Sequence, residues 1–73
     1  MSVFRMWKQD RDGQRRLIRF GDDHAVGFFV QVWGDNDDEP DYDKDAMFDG
    51  LTPQQAAQDL WDGFGIQVEA FIL

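Results

Sequence analysis

The chain has no cysteine, so neither disulfides nor a thiolate metal centre can hold the fold together. Hydroxyl and imidazole groups are almost as scarce. Ser2 is the only serine, Thr52 the only threonine, Tyr42 the only tyrosine and His24 the only histidine. A Ser–His or Cys–His nucleophile pair therefore has nothing to be built from. The glycines are scattered at turns, and no Gly-rich phosphate loop is present. Carboxylates abound, but nothing in the sequence sets one of them in a pocket that would raise its pKa. The chain is expected not to be an enzyme and to need no cofactor. Long apolar runs are missing too, which excludes a membrane-spanning helix, and the N-terminus lacks the apolar stretch of a signal peptide. A soluble, intracellular, cytoplasmic protein is the expectation.

What is present is charge of one sign and large aromatic side chains. The 73 residues carry a net charge of −8, with 42% hydrophobic and 15% aromatic content. That is too apolar for a disordered chain. It is also short enough that the core is marginal, so one domain spanning residues 1–73 is expected. Charge is unevenly spread. Residues 1–20 hold six cations against two acids, a net of +4; residues 21–73 hold thirteen acids against Lys44, a net of −12.

Patterning predicts a small α+β unit in the order β-β-β-α-β, with a mainly antiparallel sheet and one helix packed on one face. A basic hairpin is expected over residues 3–20. Its strands, 3–9 and 14–20, flank Asp12-Gly13, a turn signal because glycine takes positive φ freely. A second turn, at 21–24, leads to a central strand over 25–33, "AVGFFVQVW". One of its faces is Val26, Phe28, Val30 and Val32; the other is Gly27, Phe29, Gln31 and Trp33. An acidic loop follows over 35–49. A helix over 52–63 is signalled by Thr52 as N-cap, Pro53 at the first turn and Gln55 completing a capping box. Its apolar stripe is Ala56, Leu60 and Phe64, with Ala57 and Trp61; Gly63 and Gly65 end it. Alternation in "IQVEAFIL" predicts a last strand over 66–73, with Phe71 and Leu73 facing outward.

Three clusters are candidates for function. The first is "DNDDEPDYDKD", residues 35–45. Asp35, Asp37, Glu39, Asp41, Asp43 and Asp45 fall on every second residue, with Asp38 between them and Asp49 just beyond. As a calcium loop starting at Asp41 it fails at the two most diagnostic positions, with Ala46 for glycine and Thr52 for the bidentate glutamate. As an extended edge it would line up carboxylates ~6.6 Å apart. That is a sparse imitation of a phosphate backbone, which presents one phosphate per ~3.4 Å of axis on each strand. Such an edge attracts a basic, nucleic-acid-binding protein. As a plain connector, it is a solvated loop that keeps the chain apart from its neighbours by repulsion. The second cluster is the hairpin's Arg5, Arg15, Arg16 and Arg19 with Trp7, a set able to hold a nucleic-acid strand by phosphate contacts and stacking. Equally, these arginines can pair with the protein's own acids. The third is the aromatic face of Trp7, Phe29, Trp33 and Phe71, expected to meet a partner or a second copy in a homodimer. His24, beside Asp22 and Asp23, reads as a solvated turn residue; no second imidazole or thiol supports a metal site.

Small acidic α+β proteins of phage and plasmid origin, including DNA-mimic anti-restriction and anti-CRISPR inhibitors, are similar to this chain in size, charge and lack of catalytic residues. The similarity is one of composition, carried by no motif. It implies an inhibitor whose acidic surface engages a nucleic-acid-handling protein.

Overall fold

Alternation of large apolar and polar side chains builds an antiparallel sheet in the computed structural model, which describes residues 2–35 and 38–68. Four strands, β1 (Ser2–Gln9), β2 (Arg15–Asp23), β3 (Gly27–Trp33) and β4 (Tyr42–Asp45), lie side by side in chain order. A one-turn helix α1 (Ala46–Asp49) and a three-turn helix α2 (Pro53–Phe64) follow. The α+β class with an antiparallel sheet is as the sequence predicts.

Residues 10–14 join β1 to β2. Gly13 N–H donates to the Asp10 carbonyl and Asp10 N–H to the Gln14 carbonyl, with Gly13 at φ 82°. The Asp10 carboxylate fills the loop, accepting from the Asp12 and Gln14 N–H groups at 2.9 Å each and from Arg16 Nε at 3.0 Å. β2 runs on through Gly21–Asp23, where a turn was expected. Gly21 permits this, because a Cβ there would collide with the Ser2 backbone. The turn falls at residues 24–26 instead, closed by Asp23, whose carboxylate accepts from Ala25 N–H at 2.7 Å. Val26 therefore belongs to the turn, and β3 begins at Gly27.

Register sets the two faces of the sheet. Met6, Ile18 and Val32 form one cross-strand row; Phe4, Phe20 and Val30 form the next. This is the face that α2 covers. Ile18, Phe28, Val30, Val32, Leu51, Ala56, Leu60 and Ile66 make the buried core, and six of these side chains are fully enclosed or nearly so. Thr52 caps α2 as expected, its Oγ accepting from Gln55 N–H at 3.1 Å. The Gln55 side chain does not close the capping box; it donates down the helix to Asp59 at 2.8 Å. Gly65 ends α2 in the left-handed region, its N–H directed to the Leu60 and Trp61 carbonyls. Arg11 finishes the helix by donating to the carbonyls of Trp61 and Asp62, a cation placed at the negative end of the helix dipole. Trp61, expected on the apolar stripe, is 53% exposed.

The largest departure from expectation lies in the acidic stretch. Residues 42–45 form β4, and residues 46–49 form α1, where one loop was expected. The reason is the spacing itself. Tyr42 and Lys44 point to the helix side, where the Tyr42 hydroxyl donates to Asp59 at 2.7 Å and Lys44 lies 3.8 Å from the same carboxylate. Asp43 and Asp45, one residue out of step, point to the other face. At the C-terminal end, Ile66–Val68 lie outside any strand. The rest of the expected last strand, with Phe71 and Leu73, lies outside the described residues.

Candidate functional site

Neither helix packs on the second sheet face, and register assembles it row by row. Val3, Gly21, Phe29 and Asp45 form one row; Arg5, Arg19, Gln31 and Asp43 the next; Trp7, Leu17 and Trp33 the third. Arg15 sits beyond, opposite Gln9. The face thus changes character across its width. Arginine and tryptophan occupy β1 and β2, and carboxylates occupy β4.

Its polar groups are linked. Gln31 is the hub, accepting from Arg19 NH1 at 3.3 Å and from Trp33 Nε1 at 3.4 Å, and donating to Asp43 at 3.4 Å. The Arg19 guanidinium lies 5.9 Å from the Phe29 ring centre and helps bury that ring, which is 9% exposed. Arg15 stacks on Trp7 at 4.3 Å, a cation–π pair on an exposed ring. Arg19 Nε is buried and has no hydrogen-bond partner among the described residues. A depression of about 200 Å³ lies here, lined in part by Val3, Arg19, Phe29, Gln31, Asp43 and Asp45.

Of the four candidate arginines, the fold brings Arg5, Arg15 and Arg19 to this face with Trp7. It sends Arg16 to the other side, where its guanidinium bridges Asp10 and Asp41 and lies 5.3 Å from the Phe64 ring. Burial pushes the Asp10 carboxyl up, but the Arg16 hydrogen bond and two backbone N–H groups outweigh it and hold the group below the usual carboxylate range. Arg16 is held correspondingly more firmly protonated by Asp10. Trp7, Phe29 and Trp33 do share one face, while Phe71 lies outside the described residues.

The acids divide into structural and free. Asp41 is paired with Arg16. Asp45 caps α1, accepting from Phe48 N–H at 2.7 Å, while Asp49 accepts from Asp45 N–H at 3.0 Å. Asp43 accepts from Gln31 and has no other hydrogen bond among the described residues. Asp35, Asp38 and Glu39 are exposed and make no hydrogen bond or ion pair with another described residue. Asp37 lies outside the described residues. Asp35 is in a turn and Asp38 and Glu39 in a bend, so the extended edge runs only over Tyr42–Asp45. The five described alternating carboxylates, Asp35, Glu39, Asp41, Asp43 and Asp45, are not collected on one straight line.

Sequence reasoning missed two groups. Asp10 organises the hairpin loop and is buried, although it reads as one acid among many. Gln31 links both halves of the open face; its signal was a lone amide inside an otherwise apolar strand. A larger groove, about 440 Å³, runs between α2 and the segment after it, lined by Gln54, Ala57, Gln58, Trp61, Gln67 and Val68. None of these described side chains ionises. Among the described residues no three His, Asp or Glu side chains gather as a group able to hold a metal ion. No described helix is long and apolar enough to cross a membrane. Comparison of the chain with protein-family models, with curated proteins and with solved structures gives no match.

Proposed function

We propose that this chain is a noncatalytic binding protein whose acidic outer surface engages a basic, nucleic-acid-handling protein and inhibits it by occupying the groove meant for a phosphate backbone. The observation that carries this reading is how unequally the two signs of charge are used. Of the seven cations, Arg11, Arg15, Arg16, Arg19 and Lys44 are engaged inside the molecule, leaving Arg5 and Lys8 without a partner among the described residues. The acids Asp35, Asp38 and Glu39, by contrast, are exposed and free of described partners, with Asp12 and Asp22 exposed as well. Such a surface raises the rate of encounter with a basic groove and makes binding sensitive to salt.

The test uses immobilised protein and a cell lysate. Nucleic-acid-binding proteins should be captured at low salt and released by rising salt or by competing duplex DNA. The triple amide variant Asp35→Asn, Asp38→Asn, Glu39→Gln should lose that capture with its thermal melt intact, because none of the three supports the core or lies on the open sheet face. Capture that persists in this variant and in molar salt would falsify the electrostatic reading.

The grouping of Arg5, Arg15, Arg19 and Trp7 on one open face favours a second reading, a module that holds single-stranded nucleic acid by stacking and phosphate contacts. The net charge of −8 opposes it. As a binding unit of this size the chain gains valency by pairing, and a homodimer is the assembly we place with the first reading.

A further inference from the structure

We propose that the open sheet face is the contact between two copies of this chain, related by a two-fold axis that runs along the strands midway between β2 and β3. The proposal rests on reading the chain as a self-associating binding unit, and it assigns the surface, the symmetry and the pairs.

On this face like-charged copies meet without an excess of either sign among the described side chains. Arg5, Arg15 and Arg19 are matched there by Asp23, Asp43 and Asp45, three cations against three acids, on a chain of net charge −8. Their arrangement is self-complementary. A two-fold along the strands exchanges β1 with β4 and β2 with β3 while keeping each cross-strand row. Arg5 and Asp43 are the two ends of one row, so Arg5 of each copy lies over Asp43 of the other. In the same row Arg19 faces Gln31, a polar pair at the centre of the contact. In the next row Phe29 faces Gly21. In the third, Leu17 faces Trp33. Every one of these contacts occurs twice.

Size sets the strength. Seven residues from each of β1, β2 and β3 and the four of β4, with strands ~4.8 Å apart and ~3.3 Å per residue, give a footprint of roughly 400 Å² per copy. The total of roughly 800 Å² lies below the ~1,000 Å² where stable specific interfaces begin, so the dimer is weak and forms reversibly with concentration. Aligned sheet packing at about −30° is reached with the axis inclined ~15° to the strands, which keeps the central rows in register.

Sedimentation equilibrium of the chain alone, at moderate salt and up to about millimolar concentration, should show a monomer of 8.5 kDa passing to twice that mass. Arg5→Glu and Asp43→Arg each place like charges opposite one another twice, and each should weaken association at least about tenfold. Both positions are exposed, so both variants should melt as the parent does. Mixed in equal amounts, the two variants should form a heterodimer, because each new charge then meets its opposite. A parent chain monomeric at every concentration overturns the proposal, as do single variants that still dimerise or folded variants that fail to pair when mixed. A monomer that binds a single-stranded oligonucleotide through Arg5 overturns it in favour of nucleic acid on the same face. The measurement needs no partner protein, so its failure leaves salt-labile capture of a basic protein standing, and the reverse holds too.

Discussion

Single side chains carry most of the stability of so short a chain. At ~0.05–0.15 kcal/mol per residue, 73 residues hold roughly 4–11 kcal/mol. Leu60 is fully enclosed between α2 and the sheet, beside Val30, Val32 and Ile18. Leu60→Ala removes that contact and leaves a cavity, which should lower stability by ~2–5 kcal/mol in urea denaturation. A midpoint unchanged by the substitution would place the helix on another face. Asp10 does a different job. It satisfies two loop N–H groups and neutralises Arg16, so it joins the hairpin turn to the first residues of β2.

At the scale of the element, the ends of α2 are better defined than its middle. Thr52 holds the Gln55 N–H, and Pro53 starts the helix without a donor to satisfy. Thr52→Ala should cost ~1 kcal/mol, measured as a lower urea midpoint at unchanged slope. An unaltered midpoint would mean that packing of Leu51 and Ala56, not the cap, starts the helix. β4 depends on its neighbours more than on its composition. Aspartate is disfavoured in strands, yet Tyr42 and Lys44 gain Asp59 on α2, and Tyr42 gains an edge-on contact with Phe64, ring centres 6.4 Å apart. Those contacts hold the strand in place against its own propensity.

For the molecule as a whole, pH should act from both ends. Burial works against the ionised Asp59, but hydrogen bonds from Tyr42 and Gln55, with Lys44 nearby, hold its carboxyl below the usual range; Asp10 is held low as well. Depressed carboxylates stabilise the fold above their unfolded value of ~3.9, and that stability is lost as pH falls through the folded values. Tyr42 moves the other way, pushed up by burial and by the Asp59 carboxylate. Its contribution is complete below the unfolded tyrosine value of ~10 and is lost as pH rises beyond it. Urea midpoints should therefore be level from about pH 5 to 9 and fall on either side. Tyr42→Phe should flatten the alkaline fall. An alkaline fall of the same steepness in that variant would assign it to other groups.

Local pattern alone determined a good part of this protein. Asp12-Gly13 placed the hairpin, β-branched and aromatic content the central strand, and Thr52, Pro53 and Gly65 the helix ends, because turn chemistry, backbone preference and capping act between residues close in the chain; alternation did not make a strand of Ile66–Val68. The absence of cysteine and of a usable nucleophile bounded the chemistry by inventory. The tertiary structure decided what depends on partners far apart. The alternating acids read as a loop, since a strand of aspartates has nothing local to favour it. It became β4 because Val30 and Val32 supply a ladder and Asp59, seventeen residues on from Tyr42, receives the hydroxyl. Likewise the hairpin arginines are indistinguishable in sequence. Pairing register puts Arg5 and Arg19 in one row on the open face and Arg16 opposite Lys8 on the other, where Asp10 and Asp41 neutralise it. A side chain's spacing fixes which face it shares with its neighbours; only the packed fold decides whether that face meets the helix or is left open.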